Sequence, residues 1–204
     1  MKTYYYQKSI ILASQSPRRR MLLEQAGIEF QIKPSNTDER LIPFKTPDDF
    51  VIQAASQKAK TIAKQYPDAW IIGADTMVIL DHHVMGKPLS MDEARSMLTQ
   101  LAGRVHHVYT GVCIGKEEIN QFHTEYVKSE VLFKALSKEE IEWYLHTDEP
   151  YDKAGAYAVQ GLGSFMVKHI HGSYTNVVGL PVCEVMELLT RLNIIQRKIH
   201  INNE

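Results

Sequence analysis

The sequence predicts an α/β fold in which a mixed, largely parallel twisted sheet is flanked by helices. Residues 9–32 form a strand–helix–strand pattern whose spacing favours parallel pairing. Residues 70–74 are a run of apolar and small side chains typical of a buried central strand. Helix-start signals recur between the strands. A length of 204 residues suits one domain or two small lobes around a shared core, and we expect a single domain over residues 1–204.

Caps and apolar periodicity predict the elements in order. Residues 9–13 and 28–32 are strands, and the helix between them has Ser16 as its N-cap, Pro17 at its first position and Gly27 just past its end. A second helix runs from residues 46–49 to Tyr66-Pro67, and the strand at 70–74 that follows delivers Asp75 at its C-terminal end. A third helix runs from the capping box Ser90-x-x-Glu93 to about Gly103 and is followed by strands at 105–114 and 126–133. The last elements are a helix capped by Ser137-x-x-Glu140, a loop at 149–163, a strand near 165–170 and a helix from Pro181. Residues from about 193 to 204 form a C-terminal tail with no assigned function.

Composition argues against several classes of protein. The net charge of −1 lacks the basic excess of a protein that grips nucleic acid, and clustered Lys and Arg suit a small anionic ligand better. Cys113 and Cys183 lie far apart, and neither they nor the nine histidines show zinc-site spacing. Residues 10–13 are too short for a signal-peptide core, and no stretch reaches membrane-spanning length. We therefore expect a cytoplasmic protein with no membrane or nucleic-acid partner.

Residues 14–19 are the first candidate site. A turn from a strand into a helix offers free backbone N–H groups and a partial positive charge to an anion. The hydroxyls of Ser14 and Ser16 add donors, and the planar guanidinium groups of Arg18 and Arg19 suit bidentate phosphate contact. The alternative is an ordinary helix cap followed by solvated arginines, but the coincidence of a strand end, a helix cap and paired arginines favours the functional interpretation.

Asp75 and Thr76 are the second candidate. A carboxylate at the end of a buried strand lies where open α/β sheets bind ligands. It could hold a divalent metal that bridges phosphate oxygens, or accept the proton of an attacking water. A turn aspartate that satisfies backbone donors is the alternative, and the apolar run leading to Asp75 makes it the weaker one.

Other charged residues could converge on the same place, although each alone is more often a surface charge. Asp38 and Glu39 follow the second predicted strand and are of the type that Mg²⁺ prefers. Lys58 lies on the next helix. Lys87 lies within Gly-Lys-Pro, which lacks the spacing of a P-loop.

Residues 152–161 are the third candidate. Their small side chains allow the backbone to approach a ligand closely. Gln160 offers both a donor and an acceptor, as reading a base edge requires. A glycine-bearing loop without a function remains open at this point.

The ordered set of motifs resembles the Maf family of nucleoside triphosphate pyrophosphatases. The matching pieces are Ser-x-Ser-Pro-Arg-Arg at 14–19, Asp-Glu at 38–39, Gly-Ala-Asp-Thr at 73–76, Gly-Lys-Pro at 86–88, Gly-Arg-x-His-x-Val-x-Thr-Gly at 103–111, Asp-Lys-Ala-Gly-Ala-Tyr-x-x-Gln-Gly at 152–161 and Asn-Val-Val-Gly-Leu-Pro at 176–181. Each piece is weak alone, whereas the ordered set covers residues 10–192 and is specific.

The resemblance implies a two-lobed architecture like that of Maf and ITPase proteins, with a central cleft and a homodimer as the assembly. It also implies cleavage between the α- and β-phosphates with a divalent cation, Mg²⁺ or Mn²⁺. The roles that it implies are Asp75 as proton acceptor, Arg18, Thr76 and Gln160 for base preference, Ser14, Ser16, Arg19, Lys58, Lys87 and Lys153 for the substrate, and Glu39, Asp38 and Asp75 for the metal.

The loop around Gln160 resembles the branch that acts on dTTP and UTP. Two alternatives remain: a pyrophosphatase with another base preference, such as 7-methyl-GTP, and a nucleotide-binding regulator of cell division. The chain departs from the family pattern at Met21, where a glutamate is usual, and this residue follows Arg19 by two positions in the same predicted helix.

Overall fold

The computed structural model of the protein describes residues 4–6 and 8–197 and has a seven-stranded mixed sheet at its centre. The strands are β1 (Tyr4–Tyr6), β2 (Ile10–Leu12), β3 (Gln31–Ile32), β4 (Trp70–Leu80), β5 (His83–Met85), β6 (Val105–Lys116), β7 (Gln121–Phe133), β8 (Val167–His171) and β9 (Ile195–Arg197). The helices are α1 (Pro17–Gln25), α2 (Pro47–Ala63), α3 (Met91–Leu101), α4 (Lys138–Leu145), α5 (Tyr174–Val178) and α6 (Val182–Arg191). Short 3-10 helices cover Glu39–Leu41, Pro150–Asp152, Ala154–Ala156 and Gly161–Met166.

The main helices begin where a side chain caps them. Ser16, Thr46, Ser90 and Ser137 each accept a backbone N–H from the residue three positions further on. At Ser137 the full capping box is present, because Glu140 also accepts the Ser137 N–H. The predicted starts of these four helices are confirmed.

The prediction of a mixed sheet flanked by helices is confirmed, but parallel pairing is in the minority. The strand order is β3-β2-β4-β6-β7-β8, and only β2 pairs in parallel, with β3 and with β4. All other pairs in this sheet are antiparallel. The reason is connectivity: β6 and β7 are joined by a short turn, which permits only antiparallel neighbours. β1 and β9 form a separate antiparallel pair.

Several element bounds differ from the prediction. β4 continues to Leu80, so Asp75 lies in the middle of the strand and not at its end. β3 holds two residues rather than 28–32, because β2 offers it only Ile11 and Leu12 as partners. β1, β5, α5 and β9 were not predicted. β9 lies in the predicted C-terminal tail, of which residues 198–204 are outside the described part of the chain.

One edge of β4 contains a gap between its neighbours. β2 pairs with Trp70–Ile72 and β5 pairs with Val78–Leu80, so no strand of the described residues pairs with residues 73–77 on that edge. Consecutive strand residues point to opposite faces of a sheet. Asp75 and Thr76 therefore present their side chains on the two faces of a sheet that is interrupted beside them.

Helices cover both faces of the sheet around this gap. Ile11 and Ile71 pack with α2, whereas Ile10 and Ile72 pack with α1 and α6 on the opposite face. On the latter face, α3 and α4 form a second apolar cluster with the far end of β4. The gap therefore lies between two apolar clusters. Within the described ranges, no helix is both long and apolar enough to cross a membrane.

Candidate active site

The gap beside residues 73–77 of β4 opens into a cleft with a volume of about 210 Å³. Its walls come from the start of α1, the middle of α2, the centre of β4, the segment after β5 and the loop between α4 and β8. The sequence-predicted residues that line it are Ser16, Arg18, Arg19, Glu39, Lys58, Asp75, Thr76, Lys87, Lys153 and Gln160. The fold therefore brings together side chains that are widely separated in sequence.

The cap of α1 fixes Arg19 in the cleft wall. Its guanidinium donates to the carbonyl oxygen of Gly179 at 2.8 Å, to Ser14 Oγ at 3.2 Å and to Thr76 Oγ1 at 3.0 Å. All three acceptors are neutral, so within the described residues this positive charge is held in place without a direct ion pair. Burial lowers the pKa of Arg19, although the carboxylates of Asp75 and Glu39 act in the opposite direction. Ser14 itself lies behind Arg19 and does not line the cleft.

Arg18 makes a looser contact across the cleft. Its guanidinium lies 3.2 Å from a carboxylate oxygen of Asp152, and the Asp152 side chain is 61% exposed. Exposed ion pairs of this kind contribute little stability. Arg18 can therefore exchange Asp152 for a ligand at small cost, unlike Arg19.

Lys58 joins two carboxylates on the α2 side of the sheet. Its Nζ lies 2.6 Å from Asp75 Oδ1 and 2.6 Å from Glu39 Oε1. The side chains of Lys58 and Asp75 are 11% and 9% exposed, whereas that of Glu39 is 44% exposed. Glu39 is therefore the more accessible of the two carboxylates.

Thr76 lies on the opposite face and takes part in a hydroxyl network. Its Oγ1 lies 3.0 Å from Thr110 Oγ1, and Thr110 in turn donates to the carbonyl oxygen of Asn176. The fully buried Asn176 amide donates to the Val108 carbonyl and to Ser129 Oγ. Thr76 is thus held by β6 and α5 as well as by its own strand.

Three further predicted residues line the opposite wall. Lys87 is exposed and follows β5. Lys153 Nζ donates to the backbone carbonyl of Glu149 at 2.7 Å and also contacts the Asp152 carboxylate. Gln160 is half-buried directly before the 3-10 helix Gly161–Met166, and its side chain makes no hydrogen bond within the described part of the chain. Its amide is therefore available to a ligand.

Asp38 is the one predicted metal ligand that does not line the cleft. Within residues 4–6 and 8–197, no group of three or more His, Cys, Asp or Glu side chains is arranged to hold a metal ion. Glu39 and Asp75 remain as two carboxylates that share Lys58. This donor set fits Mg²⁺, which is commonly bound by one or two carboxylates together with substrate phosphates and water.

The departure at Met21 leaves both arginines with partners. Arg19 is held from β4 and from the α5–α6 turn, and Arg18 from the loop after α4. None of these contacts involves position 21. A glutamate there is therefore not needed to position either guanidinium in this chain.

The cleft carries an excess of positive charge although the whole chain has a net charge of −1. Its five cationic side chains are those of Arg18, Arg19, Lys58, Lys87 and Lys153, and its three carboxylates are those of Glu39, Asp75 and Asp152. Such a local excess favours a ligand with several negative charges.

Sequence reasoning missed residues that support the cleft from outside. Glu149 accepts hydrogen bonds from the backbone N–H groups of Leu162 and Gly163, and Tyr144 donates to the same carboxylate. Buried Asn176 anchors the Thr76 network. The Asn-Val-Val-Gly motif was a signal for Asn176, whereas the contacts of Glu149 depend on a loop closure that no local pattern shows.

Known proteins are similar to this chain over most of its length. The family described as Maf-like protein matches residues 9–192. A dTTP/UTP pyrophosphatase from Syntrophus aciditrophicus (strain SB) is 48% identical over 182 residues, which is 89% of each chain. One with the same name from Geotalea uraniireducens (strain Rf4) is 46% identical and covers 92% of this chain and 97% of its own. Another from Bacillus cereus (strain ATCC 10987 / NRS 248) is 45% identical and covers 92% and 91%.

The fold itself is similar to that of a solved HAM1 protein from Coxiella burnetii. The TM-score is 0.54 at 14% identity, with 91% of this chain and 100% of the other covered. At this identity the similarity concerns the fold alone, and it supports the predicted mixed α/β architecture.

Proposed function

The chain belongs to the Maf family, and from that premise we propose that it hydrolyses nucleoside triphosphates, above all dTTP and UTP, to the nucleoside monophosphate and pyrophosphate. The observation that carries this proposal is the Lys58–Asp75 pair, which lies in a cleft lined by four further cationic side chains. The relatives named dTTP/UTP pyrophosphatase support the choice of substrates.

The reaction requires water to attack a phosphorus atom that carries negative oxygens. Lys58 holds Oδ1 of Asp75, and the second carboxylate oxygen makes no hydrogen bond with the described residues, so it can accept the proton of the attacking water. Arg19, with its charge preserved by neutral partners, offsets charge on the phosphates. Lys87 and Lys153 add positive charge on the facing wall.

A divalent cation is part of this proposal. Glu39 and Asp75 are the residues that would hold it, and Asp38 would support it from outside the cleft lining. Once bound, the ion would neutralise phosphate charge as a Lewis acid. The accessible Glu39 carboxylate and the negative charge left over by the Lys58 pairings support this assignment.

Base preference is assigned to Arg18, Thr76 and Gln160. The amide of Gln160 lines the cleft and has no hydrogen-bond partner among the described residues, whereas Thr76 is already bonded to its neighbours and shapes the site through them. We expect Gln160→Glu to change the ratio of kcat/KM among nucleotides by at least tenfold, because its donor becomes an acceptor. Gln65→Glu, an exposed position after α2, is the matched control. An unchanged substrate ratio would remove Gln160 from this role.

Pyrophosphate release from a panel of nucleoside triphosphates tests the activity. With Mg²⁺ or Mn²⁺ present we expect turnover that is highest for dTTP and UTP, and EDTA should abolish it. A preference for 7-methyl-GTP would support a related pyrophosphatase instead. Nucleotide binding without turnover of any substrate would favour the binding regulator and overturn the enzyme.

The proposal also includes a cytoplasmic location and a homodimer. Cys113 is buried and Cys183 is exposed, and both are unpaired, which fits a reducing compartment.

Sedimentation equilibrium of the purified protein tests the proposed homodimer, and a monomer at all concentrations would contradict it.

A further inference from the structure

Glu149 lies outside the cleft lining and hydrogen-bonds to several parts of the loop that follows α4. Its Oε1 accepts the N–H of Leu162 at 2.8 Å, and its Oε2 accepts the N–H of Gly163 at 2.9 Å and the hydroxyl of Tyr144 at 3.0 Å. Its backbone carbonyl accepts from Lys153 Nζ at 2.7 Å. One residue therefore ties the start of the loop between α4 and β8 to its end.

The same contacts enclose Gln160 from both sides. The fully buried Tyr144 hydroxyl, which donates to Glu149, also accepts the N–H of Ala158 at 3.1 Å. Leu162 follows Gln160 by two residues, as Ala158 precedes it by two. The backbone on either side of Gln160 is thus fixed to one carboxylate, directly or through one phenol.

The backbone at Gly161 approaches the Glu149 carboxylate too closely to leave room for a side chain. It has a φ of 78°, and a Cβ there would lie 2.1 Å from Glu149 Oε1. That left-handed conformation suits glycine and lets the next two N–H groups point at one carboxylate. The turn after Gln160 is therefore shaped around Glu149.

A carboxylate at position 149 is suited to hold this loop, because its partners are hydrogen-bond donors. A carboxylate only accepts, and each of the three groups that face it donates. It has no salt bridge with the described residues, so its bonds to the loop satisfy it. A glutamine would keep the shape but direct an NH₂ group at one or more of these donors.

We propose that Glu149 is a positioning residue for base selection that acts by fixing the turn on which Gln160 is presented. The inference rests on the proposed function of Gln160. The Glu149 side chain hydrogen-bonds to none of the residues that line the cleft, and Lys153 contacts only its backbone carbonyl, which a side-chain substitution retains. The effect of the side chain should therefore appear in the choice of nucleotide rather than in turnover as such.

Comparison of Glu149→Gln with Glu139→Gln tests the inference. Glu139 is an exposed residue on α4 and serves as the matched control. We expect Glu149→Gln to lower the ratio of kcat/KM for dTTP to that for the other nucleotides at least tenfold, and Glu139→Gln to leave it unchanged. A folded Glu149→Gln variant that loses activity equally on every nucleotide would overturn the proposal, since a merely structural role predicts that result.

A double-mutant cycle separates action through Gln160 from action elsewhere. In a Gln160→Ala background, Glu149→Gln should change the ratio by less than twofold, and a full tenfold change there would overturn the proposal.

If Glu149→Gln fails to fold, Tyr144→Phe removes one of the three donors and should shift the ratio in the same direction; an unchanged ratio overturns the proposal. If the wild type releases no pyrophosphate from any nucleotide, the proposed function fails instead. Calorimetric Kd values for dTTP and the other nucleotides then replace kcat/KM in the same comparison.

Discussion

At the scale of single residues, the Lys58–Asp75 pair is nearly buried but lines the cleft. Its two charges lie 2.6 Å apart in a partly buried site, where an ion pair is screened less than on the surface. A general base must keep its proton-accepting oxygen unprotonated and within reach of water. Lys58 occupies Oδ1 and leaves the other carboxylate oxygen of Asp75 without a hydrogen bond to the described residues, and the gap beside β4 opens this oxygen to the cleft.

Asp75→Asn removes the proton-accepting charge with almost no change of shape. The amide oxygen can still accept from Lys58, and Lys58 keeps Glu39, so we expect a folded protein that is destabilised by no more than about 2 kcal/mol. Pyrophosphate release should fall by roughly 10²–10⁴-fold or more. Asp148→Asn, in the exposed turn after α4, is the control and should behave as wild type in both assays. Turnover by Asp75→Asn at the wild-type rate would exclude Asp75 as the base.

His106 is a buried residue whose pKa is set by its surroundings. It is fully buried, its Nε2 lies 2.8 Å from the Tyr157 hydroxyl, and its Nδ1 has no partner among the described residues. Burial lowers the pKa of His106 to about 3, with a smaller contribution from His107. A proton added to this ring would have no acceptor at Nδ1.

This pKa makes stability depend on pH. Between pH 6.5 and about 3 the unfolded chain binds a proton at His106 that the folded protein does not, so the stabilisation is complete above pH 6.5 and falls with acidification. From pH 7 to pH 5 the loss should be about 2 kcal/mol. Urea unfolding at both pH values should show a loss smaller by that amount for His106→Gln, while His82→Gln, at an exposed turn position, keeps the wild-type loss. Equal losses in wild type and His106→Gln would contradict the assignment.

At the scale of elements, α2 is placed by direct contact between helix and strand backbones. A Cβ on Gly73 of β4 would lie 2.3 Å from the Ala55 carbonyl, and one on Gly111 of β6 would lie 2.2 Å from the Val51 carbonyl. Lys58 is on the same helix and reaches Asp75 from it. The distance between α2 and the sheet therefore sets the geometry of the Lys58–Asp75 pair.

Gly73→Ala should displace α2 and with it Lys58. We expect a loss of stability of about 1–3 kcal/mol from overpacking, together with a clear fall in kcat. Gly86→Ala is the control for stability, since a Cβ there meets nothing within 4 Å, and it should change unfolding by less than about 0.5 kcal/mol. Urea unfolding and pyrophosphate release measure the two effects. Wild-type stability of Gly73→Ala would show that the helix can move without penalty.

The elements that the sequence predicted well are those specified locally. Ser16, Thr46 and Ser137 cap helices through contacts within three residues, so short patterns identified them. The length of β4 and the share of antiparallel pairing depend on which distant strands become neighbours, and no local pattern contains that information. Asp75 was therefore recognised as a candidate but was expected at the end of its strand.

The residues of the site show the same contrast between local and long-range information. The strand context and motifs of Asp75 and Gln160 identified them in the sequence, and both line the cleft. Asp38 was grouped with Glu39 because they are adjacent, yet only Glu39 lines the cleft. Glu149 was missed because its partners are the loop backbone and a phenol, which carry no motif of their own.

At the scale of the whole molecule, the cleft lies where two apolar clusters meet along β4. β6 pairs with one edge of β4 from Ile71 to Ile79, whereas no described strand pairs with residues 73–77 on the other edge. α1 and α6 pack with the first half of β4, and α3 and α4 pack with the second half. Across the gap, the exposed Arg18–Asp152 pair is one of the contacts that join the two sides. A ligand with several negative charges would replace such weak contacts with stronger ones to both walls.

Nucleotide binding should therefore stabilise the molecule as a unit, and Asp75→Asn allows this to be measured without hydrolysis. At a dTTP concentration of about 100 times Kd we expect a gain of about 2.7 kcal/mol. That gain corresponds to a rise in Tm of roughly 5–10 °C for a domain of this size. Thymidine, which lacks the phosphates, should raise Tm far less, because it offers no negative charge to the five cationic side chains of the cleft. Hydrogen exchange should show new protection at the first turn of α1 and in residues 149–163 together, since one wall comes from each. Protection confined to one of the two segments, or an equal effect of thymidine, would show that the triphosphate does not bridge the cleft.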